Sequence, residues 1–358
     1  MGARFTARLR RLWLNVHLWL GVGLLAAFLP LAASGAALVW RDELERALEP
    51  QRYSVSDSAA SRPPSTYLKA ATDAFKGRAE PVQVRFPERP GNPVLVVGRT
   101  SGGLLAAWLD PATGAVREVG DPRASLLGFL HNLHGSLMIP EIGRKIVGWL
   151  GWAMFVSCAT GLWLWWPRNG AVLKALRWRR GPSTLFNLHH MVGFWICLPL
   201  AVLSITGVCV AFPQASRGLF GVVDEEPAVS AGRNPPGSID DAVAVARTVE
   251  ASAPLLAVIL PDGGEADAWS VRFGGEQPKR IDVLLRTGEV RVSPAGDPLS
   301  RGLRQVHDGA QAWPLWRVVI FLGGLAPVVL VLSGVTIWLR RQLRKRRRVT
   351  AADTGRSA

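Results

Sequence analysis

The sequence has few cysteines and no charge in its longest apolar stretches. Its 358 residues hold three cysteines, Cys158, Cys197 and Cys209, with no CxxC pair. All three lie in apolar runs, so they read as buried free thiols, and no disulfide framework supports the polar segments. Four runs, 12–40, 146–166, 186–212 and 318–339, contain no Lys, Arg, Asp or Glu. That excludes a proton relay built on carboxylates or lysines within them. No glycine-rich nucleotide fingerprint follows a strand-like segment, so the chain has no dinucleotide site of that kind. The mean hydropathy of +0.18 excludes a disordered basic tail protein.

What is present is apolar length. Each of the four runs has roughly the 20 residues that a helix needs to cross a hydrocarbon layer about 30 Å thick. The first is read as a retained span rather than a signal peptide, because it is too long and has an internal counterpart. The net charge of +15 then finds its place. Segments 1–11, 168–185 and 340–358 hold 17 Lys/Arg and one acid, Asp353, for a charge of +16, while the rest of the chain carries −1. By the positive-inside rule these flanks are cytoplasmic, both termini included. A nucleic-acid partner loses its basis, because no folded domain is left to be basic. Most of the 15 Trp, among them Trp13, Trp163, Trp165, Trp166, Trp313, Trp316 and Trp338, sit in or near the runs as an interfacial belt.

The chain also repeats. Asn15-Val16-His17-Leu18-Trp19-Leu20-Gly21 matches Asn187-Leu188-His189-His190-Met191-Val192-Gly193, and Ser34-Gly35 matches Thr206-Gly207 at the same offset of 172. His134 and His307 each stand 27 residues before a glycine, Gly161 and Gly334, and Arg144 and Arg317 each follow their histidine by ten. The segments between the spans agree too. Each opens with a helical stretch, 65–75 or 238–249. Strand-like runs follow at 82–86, 94–97 and 104–109, then at 255–260, 269–273 and 281–285. Thr113-Gly114 and Thr287-Gly288 read as equivalent hairpin turns, and helices at 122–138 and 298–312 lead back to the membrane. The expected fold is an α-helical integral membrane protein, a four-span bundle of two parallel repeats. Each repeat carries an exported α+β module, at 41–143 and 213–315, and 167–185 forms a cytoplasmic loop. The symmetry axis then lies along the membrane normal.

Six histidines remain to be placed. A single interfacial histidine is ordinarily a hydrogen-bonded anchor, but His17/His189 and His134/His307 form two pairs at matched depths. Two imidazoles facing across an axis can fill both axial positions of a haem iron, and such a site favours electron transfer over O₂ chemistry. His131 shares a helix face with His134, and His190 adjoins His189; both stand as alternative ligands. Pro140 and Pro314 interrupt the helices that carry the second pair. Arg144 and Arg317 read as headgroup anchors, with haem propionates as the functional alternative. Ser34-Gly35, Thr160-Gly161, Thr206-Gly207 and Ser333-Gly334 occur once per span and read as close helix packing.

On these residues the chain resembles the PepSY-associated transmembrane family over nearly its whole length. The resemblance is carried by His17-x-x-x-Gly21 with Ser34-Gly35, His131-x-x-His134-Gly135, Thr160-Gly161-Leu162-Trp163-Leu164-Trp165-Trp166-Pro167-Arg168, His189-x-x-x-Gly193 with Thr206-Gly207, and His307-x-Gly309 with Trp338. Ser-Gly stands in spans one and four where the family commonly has Thr-Gly, which keeps the hydroxyl. The resemblance implies PepSY-like exported modules and the company of iron-regulated inner-membrane proteins and di-haem ferric-siderophore reductases. The expectation is therefore a b-type cytochrome of the bacterial inner membrane with two haem b groups. It would pass electrons from quinol or a flavoprotein to a ferric siderophore or similar chelate. A non-redox binding or regulatory protein and a permease subunit for iron chelates are the alternatives. A histidine site for a bare metal ion would lack nearby carboxylates or thiolates.

Overall fold

A computed structural model describes residues 2–56, 60–166, 181, 183–222, 227–230, 235–263, 267–309 and 314–354. Most of the basic loop expected at 167–185, Trp313 and the last four residues of the tail lie outside them. Along the chain come α1 (Gly2–Gly23), α2 (Leu25–Leu38), α3 (Arg41–Leu48), α4 (Pro50–Tyr53) and α5 (Pro64–Phe75). Then come β1 (Glu80–Arg85), β2 (Val94–Arg99), β3 (Leu104–Leu109), β4 (Val116–Gly120), α6 (Leu126–Ser136) and α7 (Gly143–Trp165). The second half has α8 (Thr184–Ala211), α9 (Pro213–Leu219), β5 (Ala228–Ser230) and α10 (Ile239–Val249). It closes with β6 (Leu255–Ile259), β7 (Ala268–Phe273), β8 (Lys279–Leu284), β9 (Val290–Pro294), α11 (Pro298–Asp308) and α12 (Pro314–Thr354). Two compact units result. One combines Met1–Trp40, Leu130–Phe220 and Leu299–Ala358; the other combines Arg41–Phe129 and Gly221–Pro298.

The first unit is helical. Apolar segments without water partners must satisfy their backbone internally, which a helix does along its whole length. Gly143–Trp165, Thr184–Ala211 and Pro314–Arg347 are long and apolar enough to cross a membrane. The run at 12–40, expected as one span, is instead two helices, Ala7–Gly23 and Leu25–Leu38, meeting at 69°. Its sequence contains the usual causes of a sharp bend. Gly21 and Gly23 lie just before the break at Leu24, and Pro30 in α2 removes one helical N–H donor. The described residues thus hold three membrane-length helices, or four if the bent pair is one span. The helix at 318–339 also runs further than expected, because the basic tail continues it to Thr354.

α7 packs on α1 and α8, and α12 packs on α8, α2 and α1. A close approach of α12 to α2 depends on Gly324. A Cβ there would lie 2.8 Å from the Ala36 Cβ and 2.9 Å from the Ala36 backbone nitrogen. Gly324→Leu is therefore expected to destabilise the bundle by about 1–3 kcal/mol through overpacking. Thermal unfolding in detergent measures this, and an unchanged midpoint would contradict the packing.

The second unit is one sheet. The two segments expected as separate α+β modules contribute to a single nine-stranded antiparallel sheet of order β4-β3-β2-β1-β6-β7-β8-β9-β5. β1 and β6 join the halves, with Gln83 opposite Ile259, Val84 opposite Val258 and Arg85 opposite Ala257. The physical reason is that each half offers four or five short strands with an unpaired edge, and pairing those two edges removes both. α5 and α10 cover one face, where Tyr67, Phe75, Val84, Val96, Val258, Val271, Phe273 and Ile281 are fully buried. Each large apolar side chain so buried contributes about 2 kcal/mol. Ser65 ties the two helices together through its backbone N–H and hydroxyl, both donated to Asp240. The expected hairpin turns are present, with Gly114 and Gly288 in the left-handed region (φ +75° and +67°) that glycine enters without steric cost.

Candidate functional site

All six histidines lie on helices of the helical unit, and four of them meet in two pairs. His17 on α1 faces His189 on α8, with ring centres 6.4 Å apart and planes at 86°. His134 on α6 faces His307 on α11 at 6.2 Å and 36°. Both latter residues occupy the last turn of a short helix. α6 ends at Ser136 and α11 at Asp308, ahead of Pro140 and Pro314 as expected.

Each ring is held at its Nδ1 edge by a carbonyl, a hydroxyl or both. The Nδ1 atom of His17 lies 3.1 Å from the Ser157 carbonyl oxygen and 3.1 Å from Thr160 Oγ1. For His307 the partners are the Leu203 carbonyl at 3.0 Å and Thr206 Oγ1 at 3.2 Å. His134 Nδ1 lies 2.8 Å from the Leu31 carbonyl, and His189 Nδ1 lies 2.9 Å from Ser333 Oγ. The four hydroxyls donate in turn to a carbonyl three residues earlier: Ser34 to Leu31, Thr160 to Ser157, Thr206 to Leu203 and Ser333 to Leu330. A carbonyl only accepts, so Nδ1 must carry the proton. The lone pair is then left on Nε2. A partner that fixes the tautomer in this way is what a metal-ligating imidazole needs.

The glycines of the same motifs make room for the rings. A Cβ on Gly35 would stand 2.6 Å from the His134 ring, and one on Gly207 would stand 2.8 Å from His307. At Gly161 and Gly334 the distances are 3.0 Å to His17 and 3.2 Å to His189. This corrects the expectation that the Ser/Thr-Gly pairs serve close helix packing. The absent side chain admits an imidazole, and at Thr160, Thr206 and Ser333 the hydroxyl lies at its Nδ1 edge. A signal was present in the sequence, because four such dipeptides accompany four paired histidines.

The donor set fits haem better than a bare ion. An imidazole nitrogen bonds a transition metal at about 2 Å and lies about 1 Å from its ring centre, so two rings across one metal have centres about 6 Å apart. Both pairs have that spacing. Among the described residues no group of three or more His, Cys, Asp or Glu converges on one point. Two histidines alone fall short of a tetrahedral site, whereas a porphyrin brings its own four nitrogens.

The remaining candidates lie elsewhere. His190 is stacked on Phe186 at 5.5 Å and on Trp165 at 6.0 Å between ring centres, so it joins an aromatic column and neither pair. His131 is an exposed residue of α6 and belongs to neither pair. Arg144 donates to the Val210 carbonyl at 2.6 Å, and Arg317 donates to the Val39 carbonyl at 2.8 Å while lying 4.6 Å over the Trp40 ring. Each therefore caps carbonyls at the end of a helix from the other half of the chain. Sequence reasoning offered headgroup or propionate contacts and missed this cross-bracing. Cys158 and Cys197 are buried free thiols as expected, whereas Cys209 is a free thiol only half-buried. No curated protein matches the chain. The model of the PepSY-associated TM region matches residues 14–341, and the chain belongs to that family, as a multi-pass membrane protein.

Proposed function

We propose that this protein is a di-haem electron carrier of the bacterial inner membrane that reduces a ferric siderophore or similar ferric chelate on the periplasmic side. In this reading the bent helix pair counts as one span, giving four spans in two parallel repeats. The basic flanks hold both termini in the cytoplasm. His17 and His189 would hold one haem b toward the cytoplasm, and His134 and His307 the other toward the periplasm. The observation that carries the reading is the two imidazole pairs, 6.4 and 6.2 Å apart, whose rings share one mode of support through Nδ1. Held by these residues, haem would supply a one-electron couple.

The protein's own residues do the rest. The hydroxyl–carbonyl supports fix each ring's tautomer and orientation. The glycines let the rings sit against a neighbouring helix. The uncharged spans keep the surroundings apolar. Reduction of Fe(III) weakens its binding by hard oxygen ligands, so iron would leave the chelate. Quinol or a flavoprotein would supply the electrons. A binding or permease role would leave the fourfold support of the imidazoles unexplained.

The test is the visible spectrum of the detergent-purified protein from haem-replete cells. The expected result is a Soret band with sharp α and β bands on reduction, lost in the double variant His17→Ala/His134→Ala. A colourless wild-type protein would overturn the proposal. Mixing dithionite-reduced protein with a ferric chelate then tests the acceptor, since reoxidation of the bands should accompany Fe(II) release.

A further inference from the structure

The sheet carries α5 and α10 on one face only. On the other, α4 covers the β3–β4 end, where the Arg52 guanidinium lies 4.1 Å over the Trp108 ring. Towards the middle the pairing brings a row of residues together: Leu95, Arg85, Ala257, Arg272 and Arg280 stand opposite one another on β2, β1, β6, β7 and β8. Their alternation is with Val84, Val258, Val271 and Ile281, which point into the helix-covered core. Arg85, Arg272 and Arg280 are all exposed.

Only one of the three has an acidic partner. Arg280 pairs with Asp282 at 2.9 Å. Arg85 donates to the Gln83 side-chain oxygen at 3.1 Å. Among the described residues no carboxylate lies within ion-pair distance of Arg85 or Arg272. Arg85 and Arg272 are two strands apart, so their backbones are about 10 Å from each other. Between them stands Ala257, 6% exposed, as a low floor. Ser270, one step along the same face of β7, is 5% exposed, and its Oγ has no hydrogen-bond partner. Partial desolvation of the Arg85 guanidinium, which neighbouring side chains flank, pulls it below its ordinary range, and repulsion from the nearby Arg272 and Arg41 adds to this. Asp282, opposite Ser270, is taken up by Arg280, which leaves two unpaired guanidiniums beside an unsatisfied hydroxyl, and a bound anion would relieve both.

We propose that Arg85 and Arg272, above Ala257 and beside Ser270, form a binding site for a polycarboxylate ligand, which makes an anionic ferric chelate the substrate class. The binding stands on the sheet alone; the substrate assignment rests on the ferric-chelate reading above. A guanidinium fork matches a carboxylate bidentately. Two forks two strands apart match a ligand with two separated carboxylates, and a single phosphate fills only one of them.

The experiment is calorimetric titration of the full-length oxidised protein in neutral detergent with citrate, Fe(III)–citrate, inorganic phosphate and a cationic trihydroxamate ferric chelate. Arg85→Gln and Arg272→Gln should each weaken citrate and Fe(III)–citrate binding at least about tenfold. The double variant should abolish it, and Arg280→Gln should leave it within about threefold of wild type. Phosphate and the cationic chelate should bind far more weakly than citrate. Unchanged binding in the double variant, with the circular dichroism of wild type, would overturn the site. So would absence of citrate binding by wild type, or phosphate binding of equal strength with the same arginine dependence. The haem spectrum of the same samples separates the two readings. A colourless protein that binds citrate keeps the site and loses its substrate assignment. A haem-bearing protein without citrate binding loses the site and keeps the electron carrier.

Discussion

On the proposed di-haem reading, Gly35→Val is expected to remove the spectral signature of one haem as completely as His134→Ala does. The two substitutions act by different routes on one ligand. His134→Ala deletes the imidazole. Gly35→Val leaves it in the chain but puts side-chain carbon where the ring now sits, since even a Cβ would stand 2.6 Å from His134 Cε1 and 2.9 Å from Nδ1. The ring cannot give way by a few tenths of an ångström and keep the bond from Nδ1 to the Leu31 carbonyl at 2.8 Å. Displaced, it loses both its tautomer control and its place 6.2 Å from His307. Each variant should therefore lose about half of the reduced α-band amplitude, because His17 and His189 rest on α7 and α12, whereas the disturbed His134 rests on α2. Chelate reduction should fall by more than about tenfold, since only one of two sites remains to carry the electron. The amplitude retained by the other pair guards against simple unfolding. Full amplitude in Gly35→Val would show that the ring is not held where the structure has it. Loss of all amplitude in His134→Ala would show that the two pairs are not independent.

Much of this site was legible in the sequence. The pairing of His17 with His189 and His134 with His307 follows from a repeat offset. Repeated chain segments find equivalent places, so equivalent histidines meet. What each ring rests on was not legible. His17 lies against Gly161, 144 positions away, and His134 against Gly35, and no spacing within one helix encodes those contacts. The bend at residue 24 was only half legible, because Gly21, Gly23 and Pro30 permit a break but glycine and proline also occur within unbroken spans, as Pro199 and Pro327 do. The sheet divides in the same manner. Its strands follow the alternation of apolar residues, and its turns follow Thr-Gly. That β1 pairs with β6 depends on two edges separated by about 170 residues, and local pattern cannot choose between two small sheets and one large one. Arg144 and Arg317 were identified as a matched pair, yet their partners Val210 and Val39 act through backbone carbonyls, which carry no sequence signal.

The sheet unit should depend on Asp110 more than on any apolar side chain on its surface. This carboxylate is 1% exposed at the first hairpin turn, yet it has many donors. It accepts bonds from the Ser56 backbone N–H and hydroxyl, the Ala112 and Thr113 backbone N–H groups, the Thr113 hydroxyl, and Arg117 at 2.9 Å. Burial alone would raise its pKa, but Arg117 and these donors outweigh burial and hold the carboxyl well below the usual carboxylate range. A depressed folded-state value means that Asp110 stabilises the fold in full above its unfolded value of about 3.9, and that this contribution fades as pH falls toward the folded value. Asp110→Ala leaves buried amides without an acceptor and Arg117 without its partner. The expected cost is about 3 kcal/mol at neutral pH, the lower end for breaking a buried pair, because Arg117 is partly exposed. Urea unfolding followed by pulse proteolysis of the full-length protein gives both numbers. The wild type should lose stability steeply below about pH 4, while the variant should show a flatter acid limb, so that the two curves converge at low pH. Parallel curves, or a difference under about 1 kcal/mol at pH 7, would mean that the turn is held by its backbone geometry and not by this carboxylate.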